Sequence, residues 1–280
     1  MLHRRLQALG VWSYVCAPEA LDSKTPRRKT NKIDARALSS RLYSYVNGDQ
    51  YGLRLARVPT PEQEQARMAS RQHDQLVNTR KRLAAQGRSL LLTQGYEAKG
   101  AWWRPRAWWG LSQEVPDWLL RHLALWAENL KLLDRQIAEA KKRLASRVGG
   151  ARPLGFGALS QAQLDSEMLD WNLIANRHQV ASLGGMCPSE RSTGEHQRLG
   201  SITKVGVPRI RTLIIEMVWR LVVFQPNYKP IGKWRAALSG TNRALKKKAA
   251  VAVGRQLLVD LWRLRTARVT AQELGLVMIG

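Results

Sequence analysis

The chain has 280 residues, with 46 Lys and Arg against 21 Asp and Glu, and a formal net charge of +25. Such an excess of positive charge repels itself unless a polyanion neutralises it, so nucleic acid is the expected partner. The apolar runs are too short to span a membrane. Cys16 and Cys187 are too few and too far apart for a disulfide framework, and no secretory signal is visible, so we expect a cytoplasmic protein with no membrane partner.

The first 59 residues predict a small α/β segment. Helix spacing, strand-like apolar runs and capping residues predict a helix over Leu2–Leu9 stopped by Gly10, strands over Val11–Ala17 and Leu53–Val58, and a helix over Lys32–Val46 capped by Asn31. Two short strands are too few for a stable sheet. We therefore expect the chain to begin within a larger fold, with an unpaired strand edge.

Two long helices are predicted next. Thr60-Pro61-Glu62 is a strong helix start, and the first helix should extend to about Leu92 with leucines seven residues apart at Leu76, Leu83 and Leu90. The second helix carries an unbroken heptad seam, formed by Leu119, Leu123, Trp126, Leu130, Leu133, Ile137, Ala140 and Leu144. The pattern predicts an antiparallel coiled coil or a dimerisation arm.

A tryptophan-rich segment, Ala101–Trp109, separates the two helices, in a chain with 11 Trp and 2 Phe. Trp beside Arg could stack on nucleobases. The indoles could equally pack on each other and on Arg side chains at the tip of a helical hairpin, and this second interpretation is favoured because aromatic residues more often pack than form a binding platform.

The C-terminal part is predicted to be helical. A glycine-rich turn at Pro153–Ser160 could offer backbone amides to a DNA phosphate. Ile210–Phe224 predicts a buried helix, and Arg243–Arg268 predicts a pair of basic amphipathic helices. Lys246, Lys247 and Lys248 could contact phosphates, although a solvated charge run is the commoner explanation.

The segment Gly184–Gly206 predicts a long polar, glycine-rich loop with two adjacent hydroxyls, Ser192 and Thr193. Cations lie in it or directly after it, namely Arg191, Arg198, Lys204, Arg209 and Arg211. A hydroxyl among cations suits a nucleophile that attacks a phosphodiester. The alternative, favoured on the residues alone, is a basic loop that only positions a nucleic acid.

Two segments together carry a family resemblance: Lys29–Leu38, which reads KTNKIDARAL, and Gly184–Gly206 followed by Arg209–Trp219. The chain resembles the DEDD transposases of the insertion-sequence one-ten family, relatives of the Piv DNA invertases. The resemblance implies an α/β plus mainly α fold class. Its parts would be the remnant of a ribonuclease-H/RuvC-like domain at residues 1–59, a long antiparallel coiled-coil arm with a Trp-rich tip at 60–149, and a helical C-terminal transposase domain at 150–280.

The resemblance also implies a chemistry and partners. Family members bind Mg²⁺ through four acidic residues next to a Ser that attacks DNA, and they are guided by a structured bridge RNA. DNA and a guide RNA are thus the implied partners, with homo-oligomerisation through the arm. The nucleic-acid-binding candidates are Lys29, Arg191, Arg198, Lys204, Arg209 and Arg211.

The sequence departs from the family pattern at its site. The first two acids would precede Met1, and Asn31 stands where the third is expected, which leaves Asp34. Thr193 aligns with the nucleophile, and Ser192 precedes it. We therefore expect an N-terminally truncated transposase whose Mg²⁺ binding and catalysis are impaired but which still binds nucleic acid. The alternatives are a repurposed, non-catalytic DNA- or RNA-binding accessory protein, and a structural coiled coil, which would not explain the charge.

Overall fold

A computed structural model describes residues 2–16, 30–49, 53, 55–190 and 198–280. The chain divides into two compact units, Met1–Pro61 and Glu62–Gly280. The helices are α1 Leu2–Ala8, α2 Asn31–Val46, α3 Pro61–Thr93, α4 Pro105–Glu114, α5 Asp117–Ala145, α6 Ala158–Met168, α7 Arg177–Leu183, α8 Pro208–Phe224, α9 Lys229–Ser239, α10 Arg243–Arg265 and α11 Ala271–Leu274, with a 3₁₀ turn at Trp171–Leu173. The strands are β1 Arg152–Pro153, β2 Pro188–Glu190, β3 Leu199–Ile202 and β4 Met278–Ile279.

The first unit confirms the two predicted helices and corrects its strands. α1 ends before Gly10, whose φ of +74° suits glycine. α2 is capped by the Thr30 side chain, which accepts from the Ile33 amide, so the prediction of an Asn31 cap is wrong. In place of the two predicted strands, the described residues show one isolated antiparallel bridge between Cys16 and Leu55. The segment after α1 has no apolar face packed on a core, which is what a stable strand needs.

The two predicted long helices are confirmed as α3 and α5. The α5 seam is buried at Leu119, Leu123, Leu130, Ala140 and Leu144 and half-buried at its other three positions. The most buried stripe of α3 differs from the predicted leucines. It follows a 3,4 spacing and carries mostly small or polar residues, namely Ser70, His73, Val77, Arg80, Ala84, Gly87 and Leu91. Ala84 and Leu91 pack in one cluster with the α5 seam, whereas Ser70 accepts from Arg209 of α8.

The predicted α3 leucines are therefore one position off this buried stripe. Leu76, Leu83 and Leu90 are half-buried beside it. Ala84 and Gly87 are small because the Trp102 indole lies against them. The Arg80 guanidinium also crosses to α5, where it donates to Asp134 Oδ1 at 2.9 Å.

The Trp-rich segment confirms the packing interpretation for its first indoles. Trp102 is 1% exposed, and its Nε1 donates to the Ala84 carbonyl at 3.0 Å. Its ring lies directly against Gly87, where any Cβ would overlap it. Trp103 packs edge-on against Trp102 and donates to Asp134 Oδ2 at 2.9 Å. The two indoles thus connect the C-terminal half of α3 with the middle of α5.

The C-terminal helices share one hydrophobic core. α8 confirms the predicted buried helix, with Leu213, Ile214, Met217, Val218 and Leu221 buried. The predicted basic helix pair over Arg243–Arg268 is wrong. α10 is a single helix that buries Val253, Leu257 and Leu258. It contacts both α8 and α9, so its apolar residues serve the core on more than one side. β1 pairs with β4 and β2 with β3, both antiparallel.

Candidate nucleic-acid interface

The predicted loop Gly184–Gly206 contains a β-hairpin, because β2 and β3 pair within it. Residues 191–197 lie outside the described part of the chain, and so does Lys29. The proposed nucleophiles Ser192 and Thr193 and the candidate cation Arg191 are among them. The prediction of a long polar, glycine-rich loop is therefore wrong for β2 and β3, which form an antiparallel pair with one irregularity between Pro188 and Glu190.

Two glycines fix the base of this hairpin. Gly185 and Gly206 both have positive φ, +59° and +139°, and a Cβ on Gly185 would lie 2.7 Å from the Val205 carbonyl oxygen. The Val207 amide donates to the Leu183 carbonyl at 2.7 Å, which joins the end of α7 to the start of α8. Only glycine allows this close approach of the two backbones.

Arg211 fastens the same base. Its Nη1 donates to the Gly184 carbonyl at 3.0 Å and to the Lys204 carbonyl at 3.4 Å. Its guanidinium thus holds the two sides of the hairpin base together. Lys204 and Arg198, by contrast, have exposed side chains on the hairpin. Both side chains therefore lie at the protein surface.

Arg209 belongs to a buried ion cluster at the junction of α3, α6 and α8. Its guanidinium donates to Glu167 Oε1 at 3.0 Å and contacts Asp74 Oδ2 at 2.9 Å. It also donates to the Ser70 hydroxyl at 2.7 Å and to the Ser70 carbonyl. With its side chain 17% exposed, Arg209 serves the packing of α8 on α3 in this structure. Its predicted contact with nucleic acid remains a prediction.

Glu167 is the centre of that cluster. Its side chain is fully buried and accepts from Arg71 at 3.2 Å and from Arg67 at 3.4 Å, in addition to Arg209. Burial opposes its charge, but the Arg71 hydrogen bond and the three positive charges outweigh burial, and the pKa of Glu167 is lowered. The same hydrogen bond raises the pKa of Arg71. Sequence reasoning missed Glu167, because nothing in its spacing distinguishes it from a surface acid.

The candidate metal residues lie in the first unit. Asn31 and Asp34 occupy the first turn of α2, three residues apart and so on one face. In the part of the chain that the structure describes, no three His, Cys, Asp or Glu side chains come together to hold a metal. One carboxylate beside a neutral amide does not fit the oxygen-rich, charged shell that Mg²⁺ requires.

The glycine-rich turn after β1 uses some of the amides that a phosphate would need. The Leu154 amide donates to the Val277 carbonyl at 2.9 Å, and the Phe156 amide donates to the Pro153 carbonyl.

The predicted phosphate-contacting lysines lie at the start of α10. Lys247 and Lys248 are exposed there, and Lys246 is half-buried.

Among the helices of the described residues, none has the length and apolar character that crossing a membrane requires.

Comparisons with known proteins give sequence matches to one family. Residues 153–231, which include α6 to α8 and the hairpin, match the family described as "Transposase IS116/IS110/IS902 family". Two proteins of Sinorhizobium fredii (strain NBRC 101917 / NGR234) are similar along most of the chain. "Putative transposase y4rJ" is 31% identical over 306 residues, covering 99% of this chain and 76% of that protein. "Putative transposase y4qE" is 29% identical, covering 96% and 73%.

A further relative supports the assignment over a shorter span. "Probable family 20 transposase" of Pseudomonas aeruginosa is 31% identical over 104 residues, which is 35% of this chain. Together these matches define the class as transposase, and the chain belongs to the IS116/IS110/IS902 transposase family. The resemblance drawn from the two sequence motifs is thereby confirmed.

Proposed function

We propose that this chain binds DNA as a member of its transposase family, with a structured guide RNA as a second partner, and that it serves DNA transposition and site-specific recombination. The observation that carries the proposal is a family-matched C-terminal unit in a chain of net charge +25. Arg198 and Lys204 provide exposed cations on the hairpin of that unit. Phosphate contacts of this kind supply most of the sequence-independent affinity for nucleic acid.

Within that function, Thr193 is the proposed nucleophile, with Ser192 as its alternative. The hydroxyl oxygen would form a bond to phosphorus, its proton would pass to a base, and the displaced deoxyribose oxygen would leave and take up a proton. The rigid base formed by Gly185, Gly206 and Arg211 supports this role, because a reacting group must be carried on a fixed scaffold.

Catalysis is proposed to be impaired in this chain. Asn31 removes one negative charge from the acidic pattern of the family, and Thr193 adds a methyl group that restricts the attacking side chain. The second candidate function, a non-catalytic DNA- or RNA-binding accessory protein, is favoured by the same two departures. Both candidate functions require nucleic-acid binding. They differ because only the enzyme would form a covalent bond to DNA.

A covalent-trapping assay separates the two candidates. The protein is incubated with labelled element-end DNA and Mg²⁺, with and without guide RNA, and a protease-sensitive shift of the label is sought. We expect no adduct from the unaltered chain. An adduct that is lost in Thr193→Val but kept in the matched control Thr203→Val would contradict impairment and establish the enzyme.

Oligomerisation through α5 is also proposed. Besides its buried seam, α5 exposes three apolar side chains at heptad spacing, Trp118, Leu125 and Leu132, with Leu125 66% exposed. An apolar stripe at this spacing on a helix is typical of a helix–helix contact. Its proposed occupant is the same helix of a second copy of this chain.

A further inference from the structure

A basic groove crosses the surface between α7 and α10, away from the hairpin candidates. It has a volume of about 780 Å³, and five of its lining residues are Arg177, His178, Arg255, Arg263 and Arg268. No Asp or Glu is among the residues that line it. The groove thus concentrates positive potential in a concave surface, which is the electrostatic arrangement that attracts phosphates.

The cations in the groove are held at different depths. Arg177, His178 and Arg268 are exposed, whereas Arg255 and Arg263 are half-buried. The Arg268 Cζ lies 4.2 Å from the centroid of the Trp262 ring, and this cation–π contact fixes the position of its guanidinium. Arg263 contacts the buried carboxylate of Asp260 at 3.4 Å, so it contributes less free charge than the others.

A second depression adjoins the groove, between α9 and α10. It has a volume of about 590 Å³, carries Lys229 and Lys233, and shares Ala252, Gln256 and Arg263 with the groove. Its acids are Asp260 and Glu273. The three shared residues place the two depressions next to each other on the surface.

We infer that this groove binds the phosphodiester backbone of a single nucleic-acid strand. A strand fits because the groove is concave, free of lining carboxylates and lined with guanidinium groups, which bind phosphate oxygens through paired N–H donors. This inference rests on the proposed function, which supplies the nucleic acid. It assigns that contact to side chains outside the family motifs, on α10 and around α7.

The test neutralises the groove and compares it with a matched control. Arg177→Gln/Arg255→Gln/Arg268→Gln removes three charges from the groove. Lys131→Gln/Arg135→Gln/Lys141→Gln removes three exposed charges from α5. Binding of labelled single-stranded DNA, RNA of the same sequence, and duplex DNA is measured by anisotropy over a salt series. The DNA and RNA arms identify which strand the groove prefers.

We expect the groove variant to bind single strands at least about tenfold more weakly near 0.1 M salt, with the slope of log K against log salt reduced by about 2, since each phosphate contributes roughly 0.7. The control should change by less than about threefold. If the groove variant unfolds, the double variant Arg177→Gln/Arg255→Gln is used in its place, because it leaves the contact between Arg268 and Trp262 intact. Equal losses in both variants, or a loss confined to duplex DNA, would overturn the groove assignment while leaving nucleic-acid binding intact. Absence of binding by the unaltered chain would overturn the proposed function as well.

Discussion

Removing the charge of Glu167 should destabilise the second unit strongly. Glu167→Gln keeps the shape of the side chain but leaves three guanidinium groups, from Arg67, Arg71 and Arg209, around a neutral amide. The remaining partner in the cluster is Asp74, at 2.9 Å from Arg209. The Glu167 side chain has no exposed surface, so water cannot replace the lost carboxylate without rearrangement.

The expected cost follows from that geometry. Breaking a buried ion pair by removing one partner costs about 3–5 kcal/mol. For a unit of this size each kcal/mol lowers the melting temperature by roughly 2–4 °C, which gives a fall of roughly 6–20 °C. The assay is thermal and urea unfolding followed by circular dichroism. The matched control is Glu139→Gln on the exposed side of α5, which should change the free energy of unfolding by less than about 0.5 kcal/mol.

The pH dependence of the unfolding free energy tests the same prediction in a second way. The pKa of Glu167 is lowered in the folded state, so its stabilisation is present above the ordinary value of about 4.5 and is lost as pH falls through the lowered folded pKa. The difference in unfolding free energy between the wild type and Glu167→Gln should therefore stay constant from pH 6 to about pH 4.5 and shrink as the pH falls further. A difference in unfolding free energy below about 1 kcal/mol at pH 6 to 7 would refute the reasoning, because removing a buried carboxylate with three guanidinium partners should destabilise the fold by more than that.

Two further predictions concern α3 to α5. Gly87→Ala should lower the free energy of unfolding by about 1–2 kcal/mol, because displacing the buried indole costs more than the roughly 0.5–1 kcal/mol gained in helix propensity. Gly110→Ala, where a Cβ meets nothing within 4 Å, should instead raise it, and urea unfolding of both distinguishes the signs. Leu125→Asp/Leu132→Asp should reduce the mass measured by light scattering with helicity unchanged, whereas Arg135→Asp should not. An unchanged mass in the double variant would show that this stripe is not an interface.

The sequence predicts the long helices well and their contacts less well. Heptad spacing locates the α5 seam because large apolar residues mark it. On α3 the most buried positions are mostly small or polar, and the leucines that attract attention lie beside them. The reason is tertiary, since Gly87 and Ala84 are needed to receive Trp102, a residue that follows the helix in the chain. Periodicity within one helix cannot show what its partner inserts.

The same limit applies to the candidate site. Family motifs identify the segment with Ser192 and Thr193, but charge alone cannot tell an arginine that faces a ligand from one that faces a carbonyl or a carboxylate. In the sequence Arg209 and Arg211 look like cations available to a ligand. In the structure Arg209 donates to a carboxylate and Arg211 to a backbone carbonyl, so both stabilise the fold. The groove residues are distant in sequence, with Arg177 before α8 and Arg268 after α10, and only folding brings them to one surface.

The most direct test of the central claim is the salt dependence of binding to element-end DNA by the full chain. If the chain binds DNA as a transposase of its family, it should bind at low salt, and log K should fall linearly with log salt at a slope of about −0.9 for each phosphate neutralised on duplex DNA. Several contacts should give a slope steeper than about −3. No binding at low salt, or an affinity that does not change with salt, would contradict the account.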